Sequence, residues 1–350
     1  MNEIYIDGRS IGQQHVPFVI AELSGNHGQS FDYAKSMIDA AAEAGAHAIK
    51  LQTYTADTMT LACELPDFQI DEQNNLWKGQ SLHTLYQQAY TPWEWHEALF
   101  GYAKSKGLIA FSSPFDISAV DFLETLDVPC YKIASFENND LPLIKRIAQT
   151  GKPVIMSTGM ASLTEISEAV DTLRTNGCSD FVLLKCTSAY PALASEANLA
   201  TITHLANTFN CPVGLSDHTL GLGVALASVP LGACVIEKHF VLSRDHGGVD
   251  AAFSLEPEEL AMLVRESKRA FEAVGMVTYG GTVIEQDSKK YRRSIYISKD
   301  VKKGDILSAE NLRIVRPGFG LAPKYWQQVL GSRVTKDATL GTALTWEHIK

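Results

Sequence analysis

The stretch that decides the fold is PVGLSDHTLGLGVALASVPLGACVIEKHF, residues 212–240. Two apolar runs, 212–215 and 234–236, each lead into a polar cluster with one acidic residue and one histidine. Between the clusters, 18 residues from Thr219 to Ile236 carry no charge, which approaches the length of a membrane span. Its glycines and its proline, with charges close on both sides, favour a buried helix, a turn and a buried strand over a span.

The same unit of apolar run, polar cluster and amphipathic segment recurs along most of the chain. Most runs do not alternate with polar residues, which is typical of strands buried on both faces, and the segments between them have a helical period. The repetition predicts an α/β fold, a (β/α)₈ TIM barrel. A doubly wound sheet is the rival, but AELSGNHG after the first run lacks the GxGxxG spacing of a nucleotide-binding turn. The eight runs are 18–23, 48–54, 108–112, 130–134, 153–157, 181–186, 212–215 and 234–236.

Two regions depart from this repeat. The polar segment 55–90 separates the second run from its helix and fits either a lid over the active face or a surface decoration. After Val274, Gly280 and Gly281 begin a linker, and short alternating segments with turn signals follow. The sequence therefore predicts a barrel domain at 1–276, a linker at 277–290 and a small β-rich domain at 291–350.

Composition narrows the class of protein. The chain has 350 residues, 45% of them hydrophobic, and a net charge of −10, which indicates a globular protein without a broad surface for nucleic acid or anionic lipid. The start, MNEIYIDGRS, lacks the basic flank and apolar core of a signal peptide, and the six cysteines form no CxxC pair. We therefore expect a cytoplasmic protein with reduced cysteines, bound neither to membranes nor to nucleic acid.

Every run ends in polar or charged residues, and in a barrel these ends gather on the face that carries the chemistry. Because a buried polar group without a partner costs about 1–3 kcal/mol, polar ends on all eight runs favour an enzyme. His218 and His239 end neighbouring runs, about 4.8 Å apart in a barrel. Both imidazoles can therefore reach one divalent ion, with Glu22 or water filling other positions.

Lysines within four of the runs are a second sign of chemistry. Lysine is rarely buried without a partner, so these residues imply either an anionic ligand or carboxylate neighbours. Serines at neighbouring positions favour a cradle for phosphate and carboxylate, although a strand lysine would also suit a Schiff-base aldolase. The lysines are Lys50, Lys132, Lys185 and Lys238, and the serines are Ser113, Ser135, Ser157 and Ser216.

Motifs along nearly the whole chain resemble the sialic acid synthase family, in the family's order. They are AELSGNHGQS, IKLQTYTADTMTL, FSSPFD, YKIASFENNDLPLI, VIMSTGM, LKCTSAYPA, GLSDHTLG, VIEKHF and RRS…KKGD…RPGFG. The resemblance implies a TIM barrel followed by a small SAF (antifreeze-like) domain. It implies a transferase that condenses phosphoenolpyruvate with an open-chain amino sugar, giving a nine-carbon 2-keto acid and phosphate. It further implies a divalent metal, Mn²⁺ or Mg²⁺, no nucleotide or organic cofactor, and a domain-swapped homodimer.

The resemblance also implies roles for particular residues. His218 and His239 match the metal ligands, and Glu22 matches an acidic residue that positions or activates water. The phosphoenolpyruvate site is matched by Lys50, Ser113, Lys132, Ser135, Ser157 and Ser216. The sugar acceptor is faced by Gln52, Glu137, Ser188, Tyr190 and Asp250, and by Arg316 of a partner subunit's small domain.

The most specific expectation concerns the identity of the acceptor sugar. Ser188 stands where N-acetylneuraminate synthases more often have asparagine, which implies 2,4-diacetamido-2,4,6-trideoxy-L-altropyranose rather than N-acetylmannosamine. Synthesis of N-acetylneuraminate or legionaminate from another amino sugar is the alternative. Two other classes stay open, a Schiff-base keto-acid aldolase and a non-catalytic sugar-binding protein. The paired histidines disfavour the first, and the polar strand ends disfavour the second.

Overall fold

In the computed structural model, residues 3–70 and 77–350 are described, and they contain a closed barrel of eight parallel strands. An antiparallel hairpin, β1 (Ile4–Ile6) and β2 (Arg9–Ile11), precedes the barrel and packs against the apolar part of its interior. Each barrel strand pairs with the next along the chain, and the last closes on the first. The barrel strands are β3 (Phe18–Glu22), β4 (Ala48–Thr53), β5 (Ile109–Pro114), β6 (Tyr131–Ile133), β7 (Val154–Ser157), β8 (Phe181–Cys186), β9 (Val213–Asp217) and β10 (Ala233–His239).

Helices follow the barrel strands, as the TIM-barrel prediction requires, and that prediction is confirmed. Their apolar faces form one core with the outward residues of the strands; Met37 and Ile38, for example, are fully buried there. Serines at the helix starts cap free backbone amides, as Ser162 does in a capping box with Glu165. The helices of the described barrel residues are α1 (Phe31–Glu43), α2 (Ala56–Met59), α3 (Leu82–Ala89), α4 (His96–Ser105), α5 (Ile117–Thr125), α6 (Leu141–Ala148), α7 (Leu163–Thr175), α8 (Ala200–Phe209), α9 (Gly223–Ser228) and α10 (Pro257–Val274).

The uncharged stretch between His218 and Glu237 folds as predicted, into a short helix, α9, a turn and the buried strand β10. Across the described ranges, no helix is both long and apolar enough to cross a membrane. The six cysteines are free thiols, and all except Cys63 are buried.

The barrel interior changes from apolar to polar along the strands. Near the strand starts it holds residues such as Phe18, Phe111 and Val235, all buried. Because strand side chains alternate between two faces, the inward positions nearer the strand ends include Lys50 and Glu237. The register shifts at Cys234, where β10 has one more residue than its partner β9, and this bulge sets the inward face of the rest of β10.

The insertion 55–90 carries helices α2 and α3, joined by a connection of which residues 71–76 lie outside the described residues. Thr55 caps α2 and Ser81 caps α3, so both helices have their own start signals. The insertion is therefore an ordered part of the barrel unit wherever the structure describes it.

The chain divides into two compact units, Met1–Gly275 and Met276–Lys350. The second unit contains α11 (Val283–Gln286), the antiparallel pair β11 (Ser294–Ile297) and β12 (Leu312–Val315), and α12 (Trp326–Val329). Its own apolar core includes Ile295, Leu307 and Leu344, each fully buried. The second unit therefore has the core expected of an independent small domain.

Candidate active site

Two buried lysines of the barrel interior share one carboxylate. Glu237 Oε1 lies 3.1 Å from Nζ of Lys50 and 3.6 Å from Nζ of Lys132. The Ser216 hydroxyl donates to the same oxygen at 3.2 Å. Strands β4, β6, β9 and β10 thus bring four polar side chains to one point inside the barrel.

Further predicted residues join this cluster at its edges. Lys50 Nζ lies 2.6 Å from Glu22 Oε2 and 3.4 Å from the Ser113 hydroxyl. Lys132 Nζ donates to the Ser157 hydroxyl at 2.7 Å. The structure therefore gathers Glu22 and five of the six residues predicted to bind phosphoenolpyruvate into one connected network. We call this network the lysine cluster; it consists of Glu22, Lys50, Ser113, Lys132, Ser157, Ser216 and Glu237.

Burial and charge oppose each other in the lysine cluster. Burial alone raises the pKa of Glu237, but the charges of Lys132 and Lys50 outweigh it and lower the pKa to about 2. Burial lowers the pKa of Lys50 to about 8, although Glu237 acts against the shift. With both glutamates ionised and both lysines protonated, the cluster is neutral. A polyanionic ligand bound here therefore requires further positive charge nearby, since charges interact strongly inside a protein.

The other two strand lysines have partners of their own: a carboxylate for Lys238, as the carboxylate alternative expects, but only a carbonyl and a hydroxyl for Lys185. Lys238 Nζ lies 2.9 Å from Asp217 Oδ2 and donates to the carbonyls of Thr219 and Gly221. Lys185 donates to the Cys186 carbonyl at 2.7 Å. Because successive side chains of a strand point to opposite faces, Lys185 and Lys238 point out of the barrel interior, away from the lysine cluster.

His218 and His239 lie side by side at the ends of β9 and β10, with ring centroids 5.2 Å apart. The Nδ1 atom of His218 lies 3.0 Å from the Thr187 carbonyl, which only accepts, so Nδ1 carries the proton and the Nε2 lone pair is free. Nδ1 of His239 faces the Asp250 carboxylate at 3.4 Å, but it makes no hydrogen bond with the described residues.

The two histidines fit a divalent ion as a pair of nitrogen ligands. Both are buried; the Thr187 carbonyl at Nδ1 of His218 leaves its Nε2 available, and Nδ1 of His239 faces the Asp250 carboxylate at 3.4 Å. In the part of the chain that the structure describes, no group of three or more His, Cys, Asp or Glu side chains is arranged around one metal position. Water or substrate oxygens would therefore have to complete the shell.

A cavity of about 860 Å³ opens at the strand ends beside His239. Its volume is typical of small-molecule sites. The insertion forms one wall with residues including Met59, Leu85 and Tyr86. All five barrel residues predicted to face the acceptor lie in the lining, namely Gln52, Glu137, Ser188, Tyr190 and Asp250.

Glu137 is an unusual acid in this lining. Burial raises its pKa from 4.5 to about 7, although the charge of Lys132 acts against the shift. Its Oε2 atom has no hydrogen-bond partner among the described residues. Glu137 is therefore placed to hold a proton near neutral pH and to donate it to a ligand.

We expect Glu137→Gln to stabilise the protein at pH 8 but not near pH 4.5. A raised folded-state pKa means that the contribution of Glu137 is fully present below pH 4.5 and is lost as pH rises through 7. The charged, buried carboxylate then costs up to about 3 kcal/mol, which glutamine avoids. Urea unfolding at the two pH values measures this difference. The exposed Glu258→Gln serves as control, and an equal gain for Glu137→Gln at both pH values would contradict the expectation.

Sequence reasoning missed two residues of this face. Glu237 has no predicted role of its own, although its spacing of two from His239 puts both side chains on one face of β10. Cys186 is expected only to be a reduced cysteine, yet its Sγ lies 3.8 Å from Nδ1 of His218 and 3.6 Å from the Ser188 hydroxyl. Burial alone raises the pKa of Cys186, but the His218 imidazole outweighs it and lowers that pKa.

Gly159 lets two predicted residues approach each other. It has a positive φ of 42°, and a Cβ atom there would lie 2.6 Å from the Ser135 hydroxyl and 2.9 Å from the Ser188 hydroxyl. A side chain at this position would push the two serines apart. Ser135 therefore lies next to Ser188, so a residue predicted to bind phosphoenolpyruvate adjoins one predicted to face the acceptor.

Arg316 belongs to the second unit. It follows β12, and its side chain is exposed. Within that unit it makes no hydrogen bond or ion pair with the described residues, so its guanidinium is available to a ligand or to another chain.

The model of the NeuB family matches residues 37–279, well over half of the chain. The chain belongs to the NeuB family. The SAF domain model matches residues 292–350. The predicted membership of the sialic acid synthases, with a TIM barrel and a SAF domain, is confirmed for this NeuB chain.

Named relatives support this assignment over almost the full length. A pseudaminic acid synthase of Campylobacter jejuni subsp. jejuni serotype O:23/36 is 44% identical, covering 93% of this chain and 95% of the relative. A pseudaminic acid synthase of Helicobacter pylori is 40% identical, covering 95% and 98%. The crystal structure of the N-acetylneuraminic acid synthetase of Leptospira borgpetersenii serovar Hardjo-bovis, in complex with citrate, is 33% identical, covering 82% and 95%, with a TM-score of 0.73.

Proposed function

We propose that this NeuB-family enzyme makes pseudaminic acid. It condenses phosphoenolpyruvate with 2,4-diacetamido-2,4,6-trideoxy-L-altropyranose and water, and releases phosphate. The observation that carries the proposal is the arrangement of the site: the lysine cluster lies inside the barrel, the neighbouring His218 and His239 lie at the strand ends, and His239 lines the acceptor-sized cavity. Identity of 44% to a pseudaminic acid synthase supports the choice of product.

Phosphoenolpyruvate binds at the lysine cluster in this proposal. Lys50 and Lys132 supply two ammonium groups, and Ser113, Ser157 and Ser216 supply hydroxyl donors. Charge-assisted hydrogen bonds of this kind are the strong ones in proteins, and they suit phosphate and carboxylate oxygens. On binding, the ligand takes over part of the contact that the lysines make with Glu237.

The acceptor occupies the cavity of about 860 Å³. Two acetamido methyl groups and the C6 methyl of the proposed acceptor need apolar contacts. The cavity offers them from both the insertion and the barrel face. The apolar lining residues are Met59, Ile70, Leu82, Leu85, Phe115, Phe136 and Val249.

His218 and His239 are the residues that would hold the divalent ion. The neutral lysine cluster favours this, because a polyanionic substrate then gains the positive charge that the cluster lacks. Bound there, Mn²⁺ or Mg²⁺ would polarise the acceptor carbonyl as a Lewis acid.

The chain's own residues account for the bonds made and broken. C3 of phosphoenolpyruvate attacks the aldehyde carbon of the acceptor, and the positive charge left at C2 is stabilised by the carboxylates of Glu22 and Glu237. Water, held by Glu22, adds at C2. The C–O bond to phosphate then breaks, and phosphate leaves with its bridging oxygen. One phosphoenolpyruvate, one aldehyde and one water thus balance one keto acid and one phosphate.

Phosphate release tests the function. The purified protein is given phosphoenolpyruvate, Mn²⁺ and one of several amino sugars, and we expect release with the diacetamido-trideoxy-altrose. Release with N-acetylmannosamine alone would move the product to N-acetylneuraminate, which the 33% identity to the Leptospira protein keeps as the second candidate. A parallel run in ¹⁸O-labelled water should put the label in the keto acid. Label in the released phosphate would rule out C–O cleavage.

We also propose that the enzyme is a domain-swapped homodimer, in which the partner's Arg316 reaches the acceptor site. Exposed apolar side chains follow five consecutive strands, β5 to β9, on the face that carries the site. Several large apolar side chains exposed on one face favour a protein–protein contact there. The five residues are Ile117, Phe136, Met160, Leu193 and Leu220, with exposed fractions of 47–65%.

Mixed dimers test the shared site. We expect Arg316→Ala alone and Glu22→Gln alone to be nearly inactive, because each dimer then lacks the arginine or the water-positioning carboxylate at both sites. Refolding the two variants together should restore about a quarter of wild-type activity, since half of the dimers combine both chains and each has one intact site. Recovery is measured by phosphate release, and no recovery would place both residues in a site formed within one chain.

We propose a cytoplasmic location because the cysteines form no disulfide bonds with one another in the described residues. All six are free, and five of them are buried in reduced form. Proteins of oxidising compartments more often pair their cysteines.

A further inference from the structure

Two loops at the active face contact each other, and Ser24 and Asn26 of the first loop have no role in the reaction described above. Residues 24–26 follow β3, and residues 247–250 follow β10. The contact is close, since a Cβ atom on Gly248 would lie 2.9 Å from the Asn26 side-chain oxygen, and one on Gly25 would lie 2.7 Å from Val249 Cγ2. The second loop ends at Asp250, whose carboxylate lies 3.4 Å from Nδ1 of His239.

Asn26 ties the second loop to the barrel through three hydrogen bonds. Its side-chain oxygen accepts from the Asp250 amide at 3.1 Å. Its amide nitrogen donates to the Phe240 carbonyl at 3.0 Å and to the Ser254 hydroxyl at 2.8 Å. Ser254 in turn donates to the Asp250 carbonyl at 2.7 Å. The backbone of Asp250 is thus fixed on both its amide and its carbonyl side.

Ser24 fixes the Asp250 side chain. Its hydroxyl donates to Asp250 Oδ2, the same oxygen that faces His239. Ser24 adopts a positive φ of 48°, a conformation that costs a serine more than a glycine. The hydroxyl contact offsets this cost, and only a residue with a short side chain and a donor provides it.

We propose that Ser24 and Asn26 are positioning residues that aim Asp250 at His239 and so set the affinity of the histidine pair for a divalent ion. The inference rests on the proposed metal site. A carboxylate beside the second nitrogen of a histidine ligand orients that ligand, and Asp250 lies in this position, 3.4 Å from Nδ1 of His239. Loss of such a contact typically weakens metal binding 10- to 100-fold. Ser24 and Asn26 act one step further out, because they hold the carboxylate.

Ser24→Gly is the decisive variant, because glycine keeps the positive φ and removes the hydroxymethyl group that contacts Asp250. Mn²⁺ is titrated into the substrate-free protein, and the free ion is measured by electron paramagnetic resonance. We expect the Mn²⁺ Kd of Ser24→Gly to rise about tenfold, with phosphoenolpyruvate binding unchanged. Turnover lost at low Mn²⁺ should return at high Mn²⁺, which a general loss of structure would not allow.

Asn198→Gly is the matched control. Asn198 also has a positive φ, 45°, in the connection that follows β8, and its side chain contacts the Glu196 carbonyl rather than Asp250. A Kd for Ser24→Gly within twofold of wild type, or an equal change in both variants, would overturn the proposal. If the wild-type protein itself binds no Mn²⁺, the metal site fails and this inference with it. The phosphate-release assay would still report separately on the condensation.

Discussion

Replacing His218 or His239 by alanine is expected to lower kcat about 10³-fold and to abolish Mn²⁺ binding. The two imidazoles are the nitrogen ligands of the proposed site, and no neighbour can replace either of them, because the described residues supply no group of three or more clustered ligands. A bound metal contributes several kcal/mol of transition-state stabilisation, and each 1.36 kcal/mol is a factor of ten in rate.

The fold should survive these two substitutions. Alanine removes a buried side chain at a strand end that faces the cavity or its border, not the packed core. The thermal midpoint followed by circular dichroism checks this, and His204→Ala, an exposed position on α8, is the control. Full activity of the wild-type protein in a strong chelator would contradict the metal assignment.

The second large effect is expected at Lys132. We expect Lys132→Met to lower kcat/KM for phosphoenolpyruvate by about 10²–10³-fold, because truncating one partner of a buried, hydrogen-bonded charge pair costs about 2–5 kcal/mol. The methionine keeps the length of the side chain, so the loss reports on the ammonium group. Affinity for Mn²⁺ should stay within a few fold.

Lys238→Met is the matched control for Lys132→Met. Lys238 is as deeply buried and pairs with Asp217 at 2.9 Å, but on the outer side of the strand. Removing it leaves the Asp217 carboxylate unpaired, and we expect a loss of about 3–5 kcal/mol in the free energy of unfolding with nearly normal kinetics. The two variants should therefore separate binding from stability. If kcat/KM falls in both in proportion to the stability lost, the anion site is not at Lys132.

Much of this architecture can be predicted from the pattern of apolar and polar residues along the chain. The runs around Val154 and Val213 are buried strands because they are continuously apolar, and the ends of parallel strands must meet on one face. That is why His218 and His239 could be paired from sequence alone. The partners of individual lysines could not be paired in this way, because a run reveals burial but not which face a residue takes.

Lys132 faces the barrel interior and Lys238 faces outward, and this difference gives the two lysines different roles. On β10, the bulge at Cys234 determines which residues face inward. Sequence patterns do not mark a bulge reliably. Ser24 and Asn26 were also beyond reach, since their partner Asp250 lies more than 220 residues away. Contacts between loops of such separation follow from the closure of the barrel rather than from any local signal.

The bulge has a consequence for how this strand can change over evolutionary time. With Cys234 as the extra residue, Glu237 and His239 face inward and Lys238 faces outward. Loss of one residue after the bulge would exchange these faces, so the interior would receive an ammonium group in place of a carboxylate and an imidazole. A substitution in β10 alters one side chain, whereas an insertion or deletion changes every side chain that β10 places in the barrel interior. Descendants of this chain can therefore vary β10 in composition far more freely than in length.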